Sequence, residues 1–135
     1  MENLMIMIAG MVWAFLTYKI TVCTSRGAVF ASASVTLAAG VLLPAIMGVT
    51  GTKLATVIAC ASYGGMISPK WIAKPWELVV IGGLSALVFI LAEEAFKGVG
   101  GKLGTMAAIA CLAWIGIKAL VNSVSEKKKA VAAEK

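Results

Sequence analysis

The sequence predicts an all-α integral membrane protein of about five transmembrane helices, the last four forming two helical hairpins repeated in the same sense. Three observations lead there. Between Arg26 and Lys53 about 26 residues pass without a formal charge, and at roughly 1.5 Å per residue such a helix crosses a hydrocarbon core about 30 Å thick. Hydrophobic residues make up 61% of the chain and charged residues 13%, too little polar surface to clothe a soluble domain of 135 residues. A glycine-lysine segment also recurs. Gly48-Val49-Thr50-Gly51-Thr52-Lys53-Leu54-Ala55-Thr56 returns, after one deletion, as Gly98-Val99-Gly100-Gly101-Lys102-Leu103-Gly104-Thr105.

The first span is expected over 3–23. Met1-Glu2-Asn3 carries no basic stretch ahead of the apolar run, which continues past the usual signal-peptide length to Thr17-Tyr18-Lys19, so a retained helix is expected. Thr17, Tyr18 and Lys19 read as an interfacial anchor, and Met5, Met7 and Met11 as lipid-facing filler. The first hairpin covers 28–67, joining the charge-free run 27–52 to a second at 54–69. The second hairpin covers 78–121, with uncharged runs at 78–92 and 103–117, and the first span stands as an addition to this pair. Residues 1–121 then form a single bundle, and 122–135 a basic cytoplasmic tail.

Ser32, Thr36, Gly40 and Pro44 recur every four residues down one stripe, and Gly82, Ser85 and Ala86 give the matching helix a similar patch. Small residues let helix backbones approach, and hydroxyls bond across them, so both stripes are expected to pack tightly. Pro44 lacks an N–H and crowds the carbonyl four residues earlier, which predicts a bend in the second span.

Two places could carry chemistry. Glu93 and Glu94 close the run 78–92, and adjacent helical positions point about 100° apart, so one carboxylate is expected to face protein. A carboxylate in that position binds a cation or proton, or pairs locally with Lys97 at i+4 and i+3. The repeated turns, with Lys53 in one copy and Gly98, Gly100, Gly101 and Lys102 in the other, read either as tight turns whose lysines reach headgroups or as backbone in contact with a solute.

The net charge of +6 comes from basic residues scattered at helix ends, apart from Lys127-Lys128-Lys129, so no nucleic-acid partner is expected. Five spans would put Lys19, Arg26, Lys70, Lys74, Lys118 and the tail on one side and Lys53, Lys97 and Lys102 on the other. The positive-inside rule then sets the N-terminus outside and the C-terminus in the cytoplasm of a plasma membrane, with Trp71 and Trp76 at the cytoplasmic interface. The chain has no histidine, and Cys23, Cys60 and Cys111 are too far apart for a metal motif, so no metal or other cofactor is expected. No nucleophile triad, zinc-protease motif or phosphate loop is present, so an enzyme is not expected. The reading is a small membrane transport component for an ion or small solute, in contact with lipid and working as a homo-oligomer or with other membrane subunits. An accessory or structural subunit with no pathway of its own is the alternative.

Overall fold

In a computed structural model of the chain, residues 2–24, 26–95 and 98–133 are described. Four helices follow in order: α1 (Glu2–Cys23), α2 (Ala28–Gly64), α3 (Glu77–Ala92) and α4 (Lys102–Ala133). Helices α1, α2 and α4 are long and apolar enough to cross a membrane, whereas α3 is apolar but has 16 residues.

Helix α2 is not a single rod. The Ser32 and Ser62 hydroxyls lie 2.8 Å apart, whereas thirty residues of straight helix would separate them by about 45 Å. The reversal is at Gly48, where φ is 59° and ψ −128°, a combination that side-chain-bearing residues avoid. An outgoing limb (28–47) is thereby folded against a returning limb (49–64). Gly51 completes the turn, because a Cβ there would collide with the Leu43 carbonyl oxygen. The sharp change of direction therefore falls four residues after Pro44, which stays inside the helix. Proline is held near the helical φ and cannot supply the positive φ that the reversal requires.

Contacts between elements set their directions. Ile6 shares a buried cluster with Val57 and Cys60, while a Cβ on Gly65 would meet the Ala14 carbonyl oxygen at 2.7 Å, so α1 and the returning limb run parallel. The Cys60 thiol points at the Leu103 carbonyl (3.4 Å) and the Cys111 thiol at that of Gly64 (3.9 Å), so the returning limb and α4 are parallel as well. Helix α3 runs against α1, and the two cross at small residues: a Cβ on Gly10 would lie 2.8 Å from the Gly82 carbonyl oxygen and 2.9 Å from the Ala86 Cβ. Close backbone approach of this kind is what small residues permit between apolar helices. Helix α1 packs against both α2 and α3.

The core lies where α1, the returning limb, α3 and α4 meet, around Ile6, Val57, Cys60, Ala86, Phe89, Met106 and Ala107. Met7 packs against this cluster and Met11 reaches Gly83, so of the three early methionines only Met5 is exposed. Their flexible thioethers fill gaps left by the small residues on α3. Helix α4 does not stop near residue 122 but continues to Ala133, since the Lys, Ala and Glu of 126–133 are good helix formers. The bundle thus has two ends. One gathers Arg26, Gly27 and the 65–76 connection with Lys19 and Lys118; the other gathers the Gly48 turn, Lys53, Glu93, Glu94 and the 98–102 turn.

Candidate functional site

Helix α3 ends at Ala92, so Glu93 and Glu94 fall in the turn that follows it, Glu93 half-buried and Glu94 exposed. Lys97, the expected local partner, lies outside the described residues. In the 98–102 segment Gly98 and Gly101 have φ of 79° and 77°, and added Cβ atoms at Gly98, Gly100 and Gly101 would meet nothing within 4 Å. Positive φ explains the need for glycine at Gly98, and the open surroundings make this an exposed turn. Lys102 is half-buried at the start of α4, and Lys53 is exposed on the returning limb.

Among the described residues the buried carboxylate is Glu77, at the opposite end, which the sequence reading passed over. Its side chain is 3% exposed. Oε1 accepts the backbone N–H groups of Ala73 and Lys74, both at 3.0 Å. Oε2 accepts the Trp114 indole N–H at 3.0 Å and the Lys118 ammonium at 2.7 Å. Lys118 also donates to the Trp71 carbonyl at 3.3 Å, and the Trp76 ring stands edge-on to Trp114 with centroids 5.7 Å apart. Glu77 precedes the uncharged run 78–92. Burial pushes its carboxyl up, but the Lys118 ammonium, the Trp114 indole and the Lys74 N–H outweigh that and bring it down to about 2. A local signal was present in the sequence: proline at the head of a helix with glutamate two residues on, placed to reach back to the free N–H groups of the turn before it. The partners on α4, 37 and 41 residues away, had no such signal.

The predicted packing residues divide into two groups. Gly82 and Ala86 are buried against α1, through Gly10 and Ala14, which were not singled out from sequence. Ser32 is buried within α2, bonded to Ser62. Thr36, Gly40 and Pro44 instead line a groove of about 270 Å³ between the two limbs, together with Thr52, Ala55, Thr56, Ala59 and Leu103 of α4. Gly40 is exposed, and a Cβ there would meet nothing within 4 Å. The backbone is bare, yet no neighbour among the described residues uses the approach it allows.

The hydroxyls along this groove have spent their protons inside the chain. Ser62 donates to the Ala59 carbonyl at 2.8 Å, so Ser32 (2.8 Å) and Thr36 (3.2 Å) are the donors to Ser62 Oγ. Thr52 donates to the Gly48 carbonyl at 3.2 Å and Thr56 to that of Thr52 at 2.9 Å. What Thr36, Thr52 and Thr56 still offer is oxygen lone pairs, which suit a cation or a group bearing N–H or O–H. Among the described residues no cluster of three His, Cys, Asp or Glu side chains could hold a metal ion. Compared with known proteins, the chain matches no family model, no curated protein and no solved structure.

Proposed function

We propose that this chain is a membrane-embedded transport component that works only in an assembly, its α2 groove closed by a neighbouring copy or partner helix. The observation that carries the reading is the groove at Thr36, Gly40 and Pro44: small residues that admit a close helix, with none of the described residues in place against Gly40. Once covered, the groove becomes a passage edged by the oxygens of Thr36, Thr52 and Thr56, with Glu93 and Glu94 at the same end of the bundle as Thr52. Such a lining favours a cation or a small solute carrying hydrogen-bond donors.

On this reading α1, the two limbs of α2, α3 and α4 are five crossings. The parallel course of the returning limb and α4, and the positive φ at the aligned Gly48 and Gly98, support two hairpins of the same sense. The end holding Lys19, Arg26, Lys70, Lys74 and Lys118 is the basic one, which supports a cytoplasmic C-terminus in a plasma membrane.

The test is flux of K⁺, Na⁺ and H⁺ into proteoliposomes. The wild type passes at least one of them, and Thr52→Val with Thr56→Val lowers that flux at least about tenfold, as expected when two acceptors on a path are lost. Normal flux in that double variant and in Glu93→Gln and Glu94→Gln would reject the path. The second reading, an accessory subunit with no pathway, is favoured by Glu77: the one deeply buried carboxylate among the described residues already has four donors. No flux of any ion from an intact assembly would select it.

A further inference from the structure

We propose that the connection between α2 and α3 is a binding site for the phosphate of anionic phospholipids, formed by Lys70 and Lys74 and bracketed by Trp71 and Trp76. This rests on the membrane reading above but not on transport. Lys70 and Lys74 are exposed, and neither ammonium has an acidic partner among the described residues. The other cations at this end are engaged. Lys19 lies over the Phe15 ring at 5.7 Å, Arg26 over Phe30 at 5.4 Å, and Lys118 is bonded to Glu77.

Among the described residues no acid is placed to neutralise the pair. Both oxygens of Glu77 are taken by Ala73, Lys74, Trp114 and Lys118. Glu93 and Glu94 are at the far end of the bundle, and Glu126 stands eight residues beyond Lys118 on α4, about 12 Å along the axis. The pair is therefore open to a balancing charge from outside the described residues.

The same network that occupies Glu77 sets the shape of the loop. It fixes the Ala73 and Lys74 N–H groups and the Trp71 carbonyl, so Lys70 and Lys74 are presented from a backbone already ordered before a ligand arrives. Trp71, next to Lys70 in the chain, is 59% exposed and Trp76, two residues after Lys74, is 53% exposed, both in the connection that leads into the apolar helix α3. An indole prefers the headgroup boundary, with its ring toward acyl carbonyls and its N–H toward water. Free phosphate would satisfy the lysines and leave both rings in water, whereas a lipid satisfies all four side chains.

The experiment reconstitutes the full chain in phosphatidylcholine nanodiscs holding a minor fraction of phosphatidylglycerol, with one lipid or the other brominated near its carbonyl, and reads tryptophan quenching. Brominated phosphatidylglycerol is expected to associate roughly fivefold more strongly than brominated phosphatidylcholine, the scale of two partly screened lysines at a membrane surface. In Lys70→Gln with Lys74→Gln the ratio should fall to about one. Both positions are exposed and unpaired, so helix content by circular dichroism should not change. A tail variant with Lys127, Lys128 and Lys129 changed to Gln should keep the wild-type ratio. Equal quenching by the two lipids in the wild type, or a preference that survives loss of Lys70 and Lys74, overturns the proposal. So does competition by excess inorganic phosphate, which would make the site one for the free anion. Quenching by neither lipid would instead reject the membrane reading itself.

Discussion

Glu77 is the residue whose surroundings most constrain it. Burying a carboxylate in an apolar bundle is costly unless every lone pair is met, and here two backbone N–H groups, an indole and an ammonium meet them. Glu77→Ala removes the carboxylate and leaves Lys118 with the Trp71 carbonyl and water, since Lys118 is 31% exposed. A loss of about 2–3 kcal/mol in unfolding free energy is expected, read as a lower denaturation midpoint in detergent. The pH dependence has a definite sign. The folded carboxyl lies near 2 against an ordinary 4.5, so its contribution is fully present above pH 4.5 and is lost as pH falls toward 2. Unfolding midpoints measured across that window should drop in the wild type and drop less in Glu77→Gln; equal slopes would contradict the assignment.

Among the elements, glycine does three separate jobs that substitution can distinguish. Gly51→Ala places a Cβ against the Leu43 carbonyl and should open the α2 hairpin, and Gly82→Leu drives a side chain into the α1 backbone at Gly10. Both are expected to cost about 2 kcal/mol or more and to yield poorly folded protein. Gly40→Leu enters open space, so thermal stability of the single chain should be unchanged within about 0.5 kcal/mol. An equal loss in all three would mean that Gly40 is buried within the chain. The all-helical, apolar character was legible in sequence because charge-free runs mark it without reference to neighbours, whereas the end of α4 was not, since the Lys- and Ala-rich 126–133 continues the helix past the last apolar run. Gly40 and Gly82 were indistinguishable there: each sits in a small-residue stripe, and only the three-dimensional arrangement decides that Gly10 covers Gly82 while the groove by Gly40 stays open. Glu77 was hidden for a related reason. Two of its four donors come from α4, and nothing local to Trp114 or Lys118 signals the partner. Glu93 and Glu94 drew attention by following an apolar run, yet α3 ends one residue before them, which moves them from the helix into the turn.

At the scale of the molecule, the bundle is well packed along the line of α1, the returning limb, α3 and α4, and open along the outgoing limb of α2. Val29, Leu37, Val41, Leu42 and Ile46 are exposed on that limb beside the groove, as lipid-facing or partner-facing residues must be. A covering helix would convert the three threonines from a wet or lipid-bathed edge into an enclosed one, so on the proposed reading transport depends on assembly. The measurement that tests this most directly is the native mass of the complex, held in nanodiscs and purified gently from its host, for the wild type and for Gly40→Leu. A wild-type mass that is a multiple of 13.9 kDa, or includes partner subunits, with Gly40→Leu falling to a folded 13.9 kDa protomer, is the predicted result. A wild-type chain that runs alone at 13.9 kDa, or a Gly40→Leu complex of unchanged mass, would contradict it.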